Sequence, residues 1–340
     1  MKKILLAVLS IAALASCAQD EILGVAKDEA IVFKNAFVDN ATKAIDPSIT
    51  NVGGANAISE FYVWGTTQGD HDGAKIVPIF ENEKVDNAAD EWMYSAGKTQ
   101  YWIDGNTYNF AAVVNGNVTK LQDGLPLTIN YDVKNTKGAD LLYARSQENI
   151  IGKKSGNEKV GFTFSHLLSK AVFTFKNTTP RNVNNSPENI YKVTNIMIKG
   201  LASDADYNVL TGEWGGHSND LTENFGNIVD AKEKGEDVAA LGIREQSAGM
   251  SNYERLLIPG KYTVTISCTI TLYNGKDTED RIVDIINYEN DIDLVLEKGV
   301  AYNFCLSAGL TETIQFKVDK VEKWNDTLED IYAPESEHKN

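Results

Sequence analysis

The sequence has few of the residues that carry most catalytic and metal chemistry. Its 340 residues include three cysteines and four histidines. It contains no zinc-binding or nucleophile motif built on them, and no glycine-rich loop of the kind that holds phosphates. The oxygen-rich runs Asp104-Gly105-Asn106 and Asp291-Ile292-Asp293 do not fill a calcium-binding loop. We therefore expect no enzyme activity, no cofactor and no metal site.

Positive charge is also scarce. The chain has 32 lysines and arginines against 48 aspartates and glutamates, which gives a formal net charge of -16. A surface of this sign repels the phosphates of nucleic acids and anionic lipid head groups. The sequence therefore predicts no nucleic-acid partner.

Long apolar runs are absent except at the start of the chain. Lys2 and Lys3 precede an apolar run at 4–15, which at helical rise spans about 18 Å, too short for the ~30 Å hydrocarbon core of a membrane. Residues 1–16 are therefore predicted to be a signal peptide. The run ends in Leu14-Ala15-Ser16-Cys17, which resembles the bacterial lipobox, whose cysteine is acylated and becomes the first residue of the mature lipoprotein.

We expect Cys17 to carry the lipid and residues 17–28 to form a tether to the folded protein. An ordinary signal peptide that contains a cysteine is the alternative. Ala18-Gln19-Asp20-Glu21 resembles the acidic tags that direct Bacteroidetes lipoproteins to the outer face of the outer membrane, although a solvated tether has the same composition. These features predict an outer-membrane location at the cell surface.

The two other cysteines are predicted to be free thiols. Cys268 shares parity with apolar neighbours and points inward if its segment is a strand, whereas Cys305 lies on the opposite parity from Phe304 and Leu306. Side chains on opposite faces do not meet the Cα separation of ~5.5–6 Å that a disulfide prefers.

Period-two alternation of apolar and polar residues dominates the chain and is typical of antiparallel β-sandwiches. The predicted strands are 30–37, 58–65, 108–114, 160–164, 170–175, 193–198, 262–273, 282–286, 291–296, 301–306 and 313–318. Asn274-Gly275 predicts a hairpin between two of them. A polar stretch at 152–159 is the predicted boundary between an N-terminal domain at 29–158 and a C-terminal domain at 159–340, which ends in a polar tail at 325–340.

Residues 202–251 are rich in glycine and poor in apolar anchors, so they are predicted to be a long connection, either a binding surface or a mobile loop. Trp214 and His217 are its candidate ligand residues, because aromatic rings stack on sugars and the two share a glycine-rich segment. Trp92 is a second candidate for sugar contact. Packing in a core or loop is the alternative for both tryptophans.

Several segments, in this order after the lipobox, resemble the fimbrillin-like lipoproteins of Bacteroidales, the major and minor fimbria subunits. The segments are Glu29-Ala30-Ile31-Val32-Phe33, Ala41-Thr42-Lys43-Ala44, Tyr108-Asn109-Phe110-Ala111-Ala112, His166-Leu167-Leu168-Ser169-Lys170, Leu257-Ile258-Pro259-Gly260, Leu296-Glu297-Lys298-Gly299 and Ile314-Gln315-Phe316-Lys317-Val318. The resemblance covers nearly the whole chain.

The resemblance implies two transthyretin-like antiparallel β-sandwich domains in tandem, lipoprotein export and assembly by donor-strand exchange. In that mechanism a trypsin-like protease removes the first strand, and a neighbour's strand fills the groove. The matching positions are the strand residues Ile31, Phe33 and Phe37 and the basic residue Lys43. The family usually has arginine at the cut, so the resemblance does not extend to an arginine-specific protease, and an uncut surface lysine is the alternative.

Ile314, Phe316 and Val318 are the candidate donor strand. If they complete the subunit's own sheet, a tip or anchor subunit is favoured over a stalk subunit. The implied partners are other fimbrial subunits, the outer membrane through the lipid, and a host glycan or protein receptor. The alternative function is a monomeric surface lipoprotein that binds glycan or host protein.

Overall fold

The structure, a computed structural model, describes residues 29–38, 58–69, 74–88, 91–178, 189–231, 237–239, 254–274, 278–309 and 313–321. Within these ranges it has 21 strands, two single-turn 3-10 helices (Ala96–Lys98 and Glu279–Arg281) and no α-helix. The predicted all-β class is therefore confirmed. None of the described residues form a helix long and apolar enough to cross a membrane. Cys17, Lys43 and the predicted tail at 325–340 lie outside the described residues.

The strands fall into two halves of the chain. Those of the first half are β1 (Phe33–Val38), β2 (Glu60–Gln68), β3 (Ile76–Ala88), β4 (Glu91–Tyr94), β5 (Thr107–Val114), β6 (Asn117–Gln122), β7 (Leu125–Asp132), β8 (Leu142–Arg145), β9 (Ile150–Ile151) and β10 (Val160–His166). Those of the second half are β11 (Ser169–Asn177), β12 (Asn189–Leu201), β13 (Asp204–Asn208), β14 (Glu213–Ser218), β15 (Leu221–Ala231), β16 (Asp237–Ala239), β17 (Glu254–Leu257), β18 (Gly260–Asn274), β19 (Ile282–Leu296), β20 (Ala301–Ala308) and β21 (Gln315–Val321).

Seven strands of the first half close into a ring. Their order is β2-β3-β4-β1-β10-β8-β5, and β5 pairs back onto β2. The short strand β9 adds a further pairing to β5. Every pair in the ring is antiparallel except β1 with β10, which is parallel. Between β1 and β4 the ring is closed through one paired position, Phe33 opposite Trp92.

Aromatic rings fill the inside of this ring of strands. Phe33, Phe61, Phe80, Phe110 and Phe162 are each at most 2% exposed. The contacting pairs among them have ring centroids 5.4 to 6.3 Å apart. Such pairs contribute about 0.5–1.5 kcal/mol each beyond the area they bury. We call these five residues the phenylalanine core.

A four-stranded sheet is shared by the two halves. Its order is β14-β13-β7-β6, so the hairpin β6–β7 of the first half continues into the hairpin β13–β14 of the second. The β7–β13 ladder runs from Asp132 opposite Asp204 to Thr128 opposite Asn208. Ile129 on β7 belongs to the same apolar core as the second half's buried residues. The two halves therefore share both a sheet and a core.

The rest of the second half is a two-sheet sandwich. One sheet has the order β16-β11-β20-β21, with β17 also paired to β11, and the other has the order β15-β12-β18-β19. Phe173 and Phe304 of the first sheet meet Phe225 of the second, with centroids 5.8 and 6.0 Å apart. Cys268 is a buried free thiol on the inner face of β18, as predicted, and burial raises its pKa to about 12. Cys305 is also a buried free thiol.

Two buried ion pairs join β17 to two neighbouring strands. Lys170 on β11 lies 3.0 Å from Glu254, and Arg255 lies 2.9 Å from Glu223 on β15, with all four side chains buried. Arg255 also donates hydrogen bonds to the carbonyl oxygens of Glu254 and Asn224. Removing one partner of a buried pair is strongly destabilising, so these contacts link β17 to both sheets of the sandwich.

Every predicted strand overlaps a strand of the structure, although 30–37, 58–65 and 313–318 begin two or three residues before β1, β2 and β21. The segments 282–286 and 291–296 are parts of the single strand β19. The hairpin predicted at Asn274-Gly275 is confirmed, since β18 and β19 pair antiparallel. The interpretation of 202–251 as a long connection is wrong for its described part, which forms β13, β14, β15 and β16. These strands carry few inward apolar residues, and their pairing with β7, β12 and β11 replaces the missing local signal.

Gly65 on β2 tests the packing of the phenylalanine core. A Cβ built there lies 2.7 Å from Phe110 and 2.9 Å from Phe80, closer than real contacts allow. We expect Gly65→Ala to lower the free energy of unfolding by about 1–3 kcal/mol, measured by urea denaturation of the mature chain.

Gly215→Ala is the matched control, because a Cβ at this strand glycine meets nothing within 4 Å. It should leave the urea midpoint nearly unchanged. Equal midpoints for the two variants would contradict the packing described for Gly65.

Candidate functional site

The predicted first strand, β1, is paired along its length on one side only. Its backbone lies parallel to β10 from Phe33 opposite Val160 to Val38 opposite Phe164. On the other side it meets β4 at one position, Phe33 opposite Trp92. Most of its ladder hydrogen bonds are therefore those it makes with β10.

The inward-facing side chains of β1 and of the segment just before it are nevertheless deeply buried. Ile31, Phe33 and Ala36 are at most 2% exposed. Phe33 is the central member of the phenylalanine core, because its ring contacts the other four and also Tyr94, at 5.8 Å. For Phe37 the structure describes the backbone, which lies opposite Thr163. The site thus combines a one-sided ladder with a fully buried apolar face.

The chain just before β1 is held by contacts with distant residues. The amide of Ile31 donates to the carbonyl of Gln100 at 2.8 Å, and the hydroxyl of Tyr94 donates to the carbonyl of Ile31 at 2.8 Å. Burial raises the pKa of Tyr94, so this hydroxyl stays a donor at neutral pH.

Glu29 forms a second anchor for the same segment. Its carboxylate accepts hydrogen bonds from the amides of Gly156 at 2.9 Å and Asn157 at 2.8 Å. These two backbone donors lower the pKa of Glu29. The polar stretch at 152–159, which was predicted to be a domain boundary, therefore also holds the segment that leads into β1.

The candidate donor residues lie on β21 or beside it. β21 pairs with β20 from Gln315 opposite Ser307 to Val321 opposite Ala301, and among the described strands it is the last of its sheet. Phe316 is half-buried, with its ring 6.2 Å from Phe173 and from Phe304. Ile314 is half-buried and Val318 is exposed. This segment completes the subunit's own sheet.

The two candidate ligand residues of the β13–β14 hairpin are engaged in internal contacts. The indole N–H of Trp214 donates to the carbonyl of Leu167 at 3.1 Å, and its ring lies 5.3 Å from Tyr207. The Nε2 atom of His217 lies 3.1 Å from the carbonyl oxygen of Pro259. Both side chains therefore hold β14 against the neighbouring segments that contain Leu167 and Pro259.

Trp92 also packs internally. It lies on β4, is 6% exposed, and has its ring 5.0 Å from that of Phe61. The packing alternative stated for this tryptophan is therefore the one that the structure supports. Among the described residues, no group of three or more histidine, cysteine or acidic side chains is arranged to hold a metal ion.

Sequence reasoning found the strand but missed its anchors. Tyr94 and Glu29 hold Ile31 and its neighbours through partners that lie up to 128 residues away in the chain. No local pattern marks such contacts. The short run Lys153-Lys154-Ser155-Gly156-Asn157 does carry a turn signal, with Gly156 at a φ of 74°, and this indicates exposed backbone amides that can bind a carboxylate.

Comparison with known proteins identifies a family and a solved structure of similar fold. The sequence profile of the fimbrillin-like family matches residues 42–324. A fimbrial protein from Bacteroides vulgatus superposes with a TM-score of 0.59 at 15% identity, over 86% of this chain and 99% of that chain. A fimbrial assembly protein from Parabacteroides distasonis gives a TM-score of 0.42 at 14% identity, over 86% and 97%. No curated protein matches the chain.

The Glu29 anchor makes the first strand sensitive to acid. Because the folded-state pKa of Glu29 is lowered, its stabilisation is present above the ordinary value of 4.5 and is lost as the pH falls through the lowered value. We expect amide-exchange protection of Ile31 to fall with pH in this range, and to be already reduced and pH-independent there in Glu29→Gln.

Glu158→Gln is the control for this measurement. Glu158 lies in the same region but is exposed, and among the described residues its ion pair is with Lys34, at 3.8 Å. It should behave like the unmodified protein. Wild-type protection of Ile31 in Glu29→Gln would contradict the proposed anchoring.

Proposed function

Because the chain belongs to the fimbrillin-like family, we propose that it is a subunit of a cell-surface fimbria, with a structural and adhesive role and no catalytic one. It shares its fold with the fimbrial protein from Bacteroides vulgatus over 99% of that protein's chain. The proposed location is the outer membrane and the fimbria beyond it, reached by export as a lipoprotein that is acylated on Cys17.

The proposed assembly step is donor-strand exchange at β1. The observation that supports it is the contrast within this strand, which has a ladder with β10, one contact position with β4, and a fully buried apolar face. Removing β1 together with the segment before it breaks the ladder with β10, the one paired position with β4, and the hydrogen bonds that anchor Glu29 and Ile31. It also empties the centre of the phenylalanine core.

The emptied slot defines what can replace β1. Removing a buried phenylalanine from a core costs about 3–5 kcal/mol, so a subunit without Phe33 gains stability from any strand that restores a large apolar side chain there. The edge of β10 supplies unpaired backbone groups that select an extended segment. A donor strand with apolar side chains at the positions of Ile31, Phe33 and Ala36 satisfies both requirements.

The order of the segments along the chain means that one proteolytic cut would have two effects. Cys17 precedes β1, and Lys43 follows it by five residues. A cut after Lys43 would therefore open the slot and, in the same step, separate the subunit from its lipid. We propose Lys43 as the processing site for this reason.

The proposed role for β21 is internal. Because Gln315–Val321 pairs with β20 along its whole length, donation of Ile314, Phe316 and Val318 would require this strand to leave its own sheet. We therefore propose that the subunit accepts a strand at the β1 slot and keeps β21, as a tip or anchor subunit would. The alternative of a monomeric lipoprotein that binds through Trp214 and His217 gains no support, since both side chains make internal contacts.

Limited trypsin digestion of the purified precursor tests the processing step. We expect one early cut and a new N-terminus at Ala44. Because the subunit is proposed to keep β21, a donor is added after trypsin is inhibited, as a carrier protein bearing residues 29–38. It should form an SDS-resistant complex with the trimmed subunit, since strand exchange buries a full apolar face. Electrophoresis without boiling and N-terminal mass spectrometry give the two readouts.

Lys43→Ala should suppress both the cut and the complex, whereas the control Lys27→Ala, which alters a site before β1, should leave both intact. A cleanly trimmed subunit that takes up no added donor would contradict strand exchange at the β1 slot. A complex that forms equally well with Lys43→Ala would contradict the assigned cut.

A peptide of residues 29–38 tests the slot itself. We expect it to bind the trimmed subunit and to compete with the carrier-borne donor, because it restores the native pairing with β10 and the phenylalanine core. The same peptide with Phe33→Ala should bind at least about a hundredfold more weakly, measured by fluorescence anisotropy. Equal binding of the two peptides would contradict the role assigned to Phe33.

A further inference from the structure

A polar cleft of about 400 Å³ opens where the shared sheet meets the ring of strands. Its volume falls within the range of small-molecule binding sites, roughly 300–1,000 Å³. The residues that line it are Glu60, Tyr62, Val114, Asn115, Gly116, Asn117, Asn130, Asp132, Asn135 and Thr136. Four of them are asparagines, which is the feature that requires an explanation.

A tight turn fixes one wall of the cleft. Asn115-Gly116 is the whole connection between β5 and β6, and Asn115 has a φ of 58°, which asparagine tolerates better than most residues. A Cβ on Gly116 would lie 2.6 Å from Ile129 and from Leu141. The turn is therefore packed directly onto the core, and the cleft is preformed.

Three of the asparagines are oriented by acceptors on the protein. In each, the side-chain nitrogen faces a carbonyl or carboxylate oxygen, so the amide has only one orientation that makes chemical sense. The contacts run from Asn115 to the carbonyl of Asp140 (2.8 Å), from Asn130 to the carboxylates of Asp204 (3.1 Å) and Asp206 (3.0 Å), and from Asn135 to the carboxylate of Asp132 (2.8 Å).

This arrangement leaves the cleft rich in hydrogen-bond acceptors. The side-chain oxygens of Asn115, Asn130 and Asn135 have no partner among the described residues, because the nitrogen of each amide makes the recorded contacts. Glu60 adds a carboxylate, of which one oxygen pairs with Lys84 at 2.9 Å. A ligand that fits must therefore donate several hydrogen bonds.

Two further side chains have open hydrogen-bonding capacity. The hydroxyl of Tyr62 and the amide of Asn117 make no side-chain hydrogen bond with any other described residue. Tyr62 is half-buried and packs on the apolar core. It therefore offers both a fixed aromatic ring and a polar tip.

We propose that this cleft binds a neutral glycan through the hydroxyl groups of one or two sugar residues. Sugar hydroxyls supply closely spaced donors to the asparagine oxygens, and Tyr62 supplies an apolar contact. An anionic sugar is disfavoured, because Glu60 and Asp132 line the cleft and the whole chain carries a charge of -16. The site is separate from the β1 slot and from Trp214 and His217.

Because the expected contacts are single hydrogen bonds, binding by one subunit is expected to be weak. Display of many fimbriae on one cell, each with one such subunit, would raise the overall avidity, since linked sites bind at a high effective concentration. That gain rests on the proposed fimbrial function, whereas binding by one subunit does not. The test is therefore made on the uncut, monomeric protein.

The experiment compares three probes by array screening and then titration of the mature monomer. They are neutral oligosaccharides, their sialylated forms, and a lysine-rich peptide. We expect binding to at least one neutral glycan, with a roughly three- to tenfold loss for each of Asn117→Ala and Tyr62→Phe, the cost of one hydrogen bond. Gln122→Ala is the control, because it removes an exposed amide from the same strand β6 outside the cleft.

Three outcomes would overturn the proposal. The first is a folded monomer that binds no neutral glycan, and the second is glycan binding that survives both cleft substitutions. The third is preference for the basic peptide, which would assign the cleft to a cationic partner. None of them depends on trypsin cleavage or on donor-strand uptake, so failure here is distinguishable from failure of the fimbrial assembly.

Discussion

The fold of the first half depends on a large apolar side chain at the position of Phe33. The ring of strands is closed around the phenylalanine core, and Phe33 touches every other member of that core. Yet β1 carries this side chain on a ladder that is paired mainly with β10. Packing, more than hydrogen bonding, therefore sets the requirement for a strand at this place, and packing can be supplied by any chain that presents the same side chains.

The described residues form two separate apolar cores, so a change at the first strand acts directly on one of them. Phe33 belongs to the core inside the ring, whereas β7 and β13 belong to the core shared with the second half. The strands β2 and β5 contribute to both, with Val63 and Trp64, or Ala111 and Ala112, on opposite faces. A change at β1 therefore disturbs one core directly, while the β7–β13 ladder continues to join the halves.

Sequence patterns predicted the strands that have a strong apolar face and missed those that depend on partners. β18 alternates buried and less buried residues over its central positions and was evident. In contrast, β3 buries few of its described side chains and β13 has few apolar residues, and both are held by pairing with β2 and β7. Asp123-Gly124 carries the same turn signal as Asn274-Gly275 and could have located the hairpin of β6 with β7, and Asn115-Gly116 could have located the turn before β6. The orientations of the cleft asparagines could not be predicted, because they are set by acceptor oxygens that lie as many as 76 residues away.

The exposed edge of the sandwich shows why side-to-side association is restrained in a protein rich in strands. β19 has 15 residues and pairs with β18, and among the described strands it ends its sheet. Asp291 and Asp293 accept hydrogen bonds from Thr265 and Thr263 across the ladder, which holds two carboxylates along this edge. A second copy pairing there would bring like charges within the Debye length of about 8 Å. Acidic side chains thus protect the long edge, whereas β1 is paired along one side with β10 and at a single position with β4 on the other.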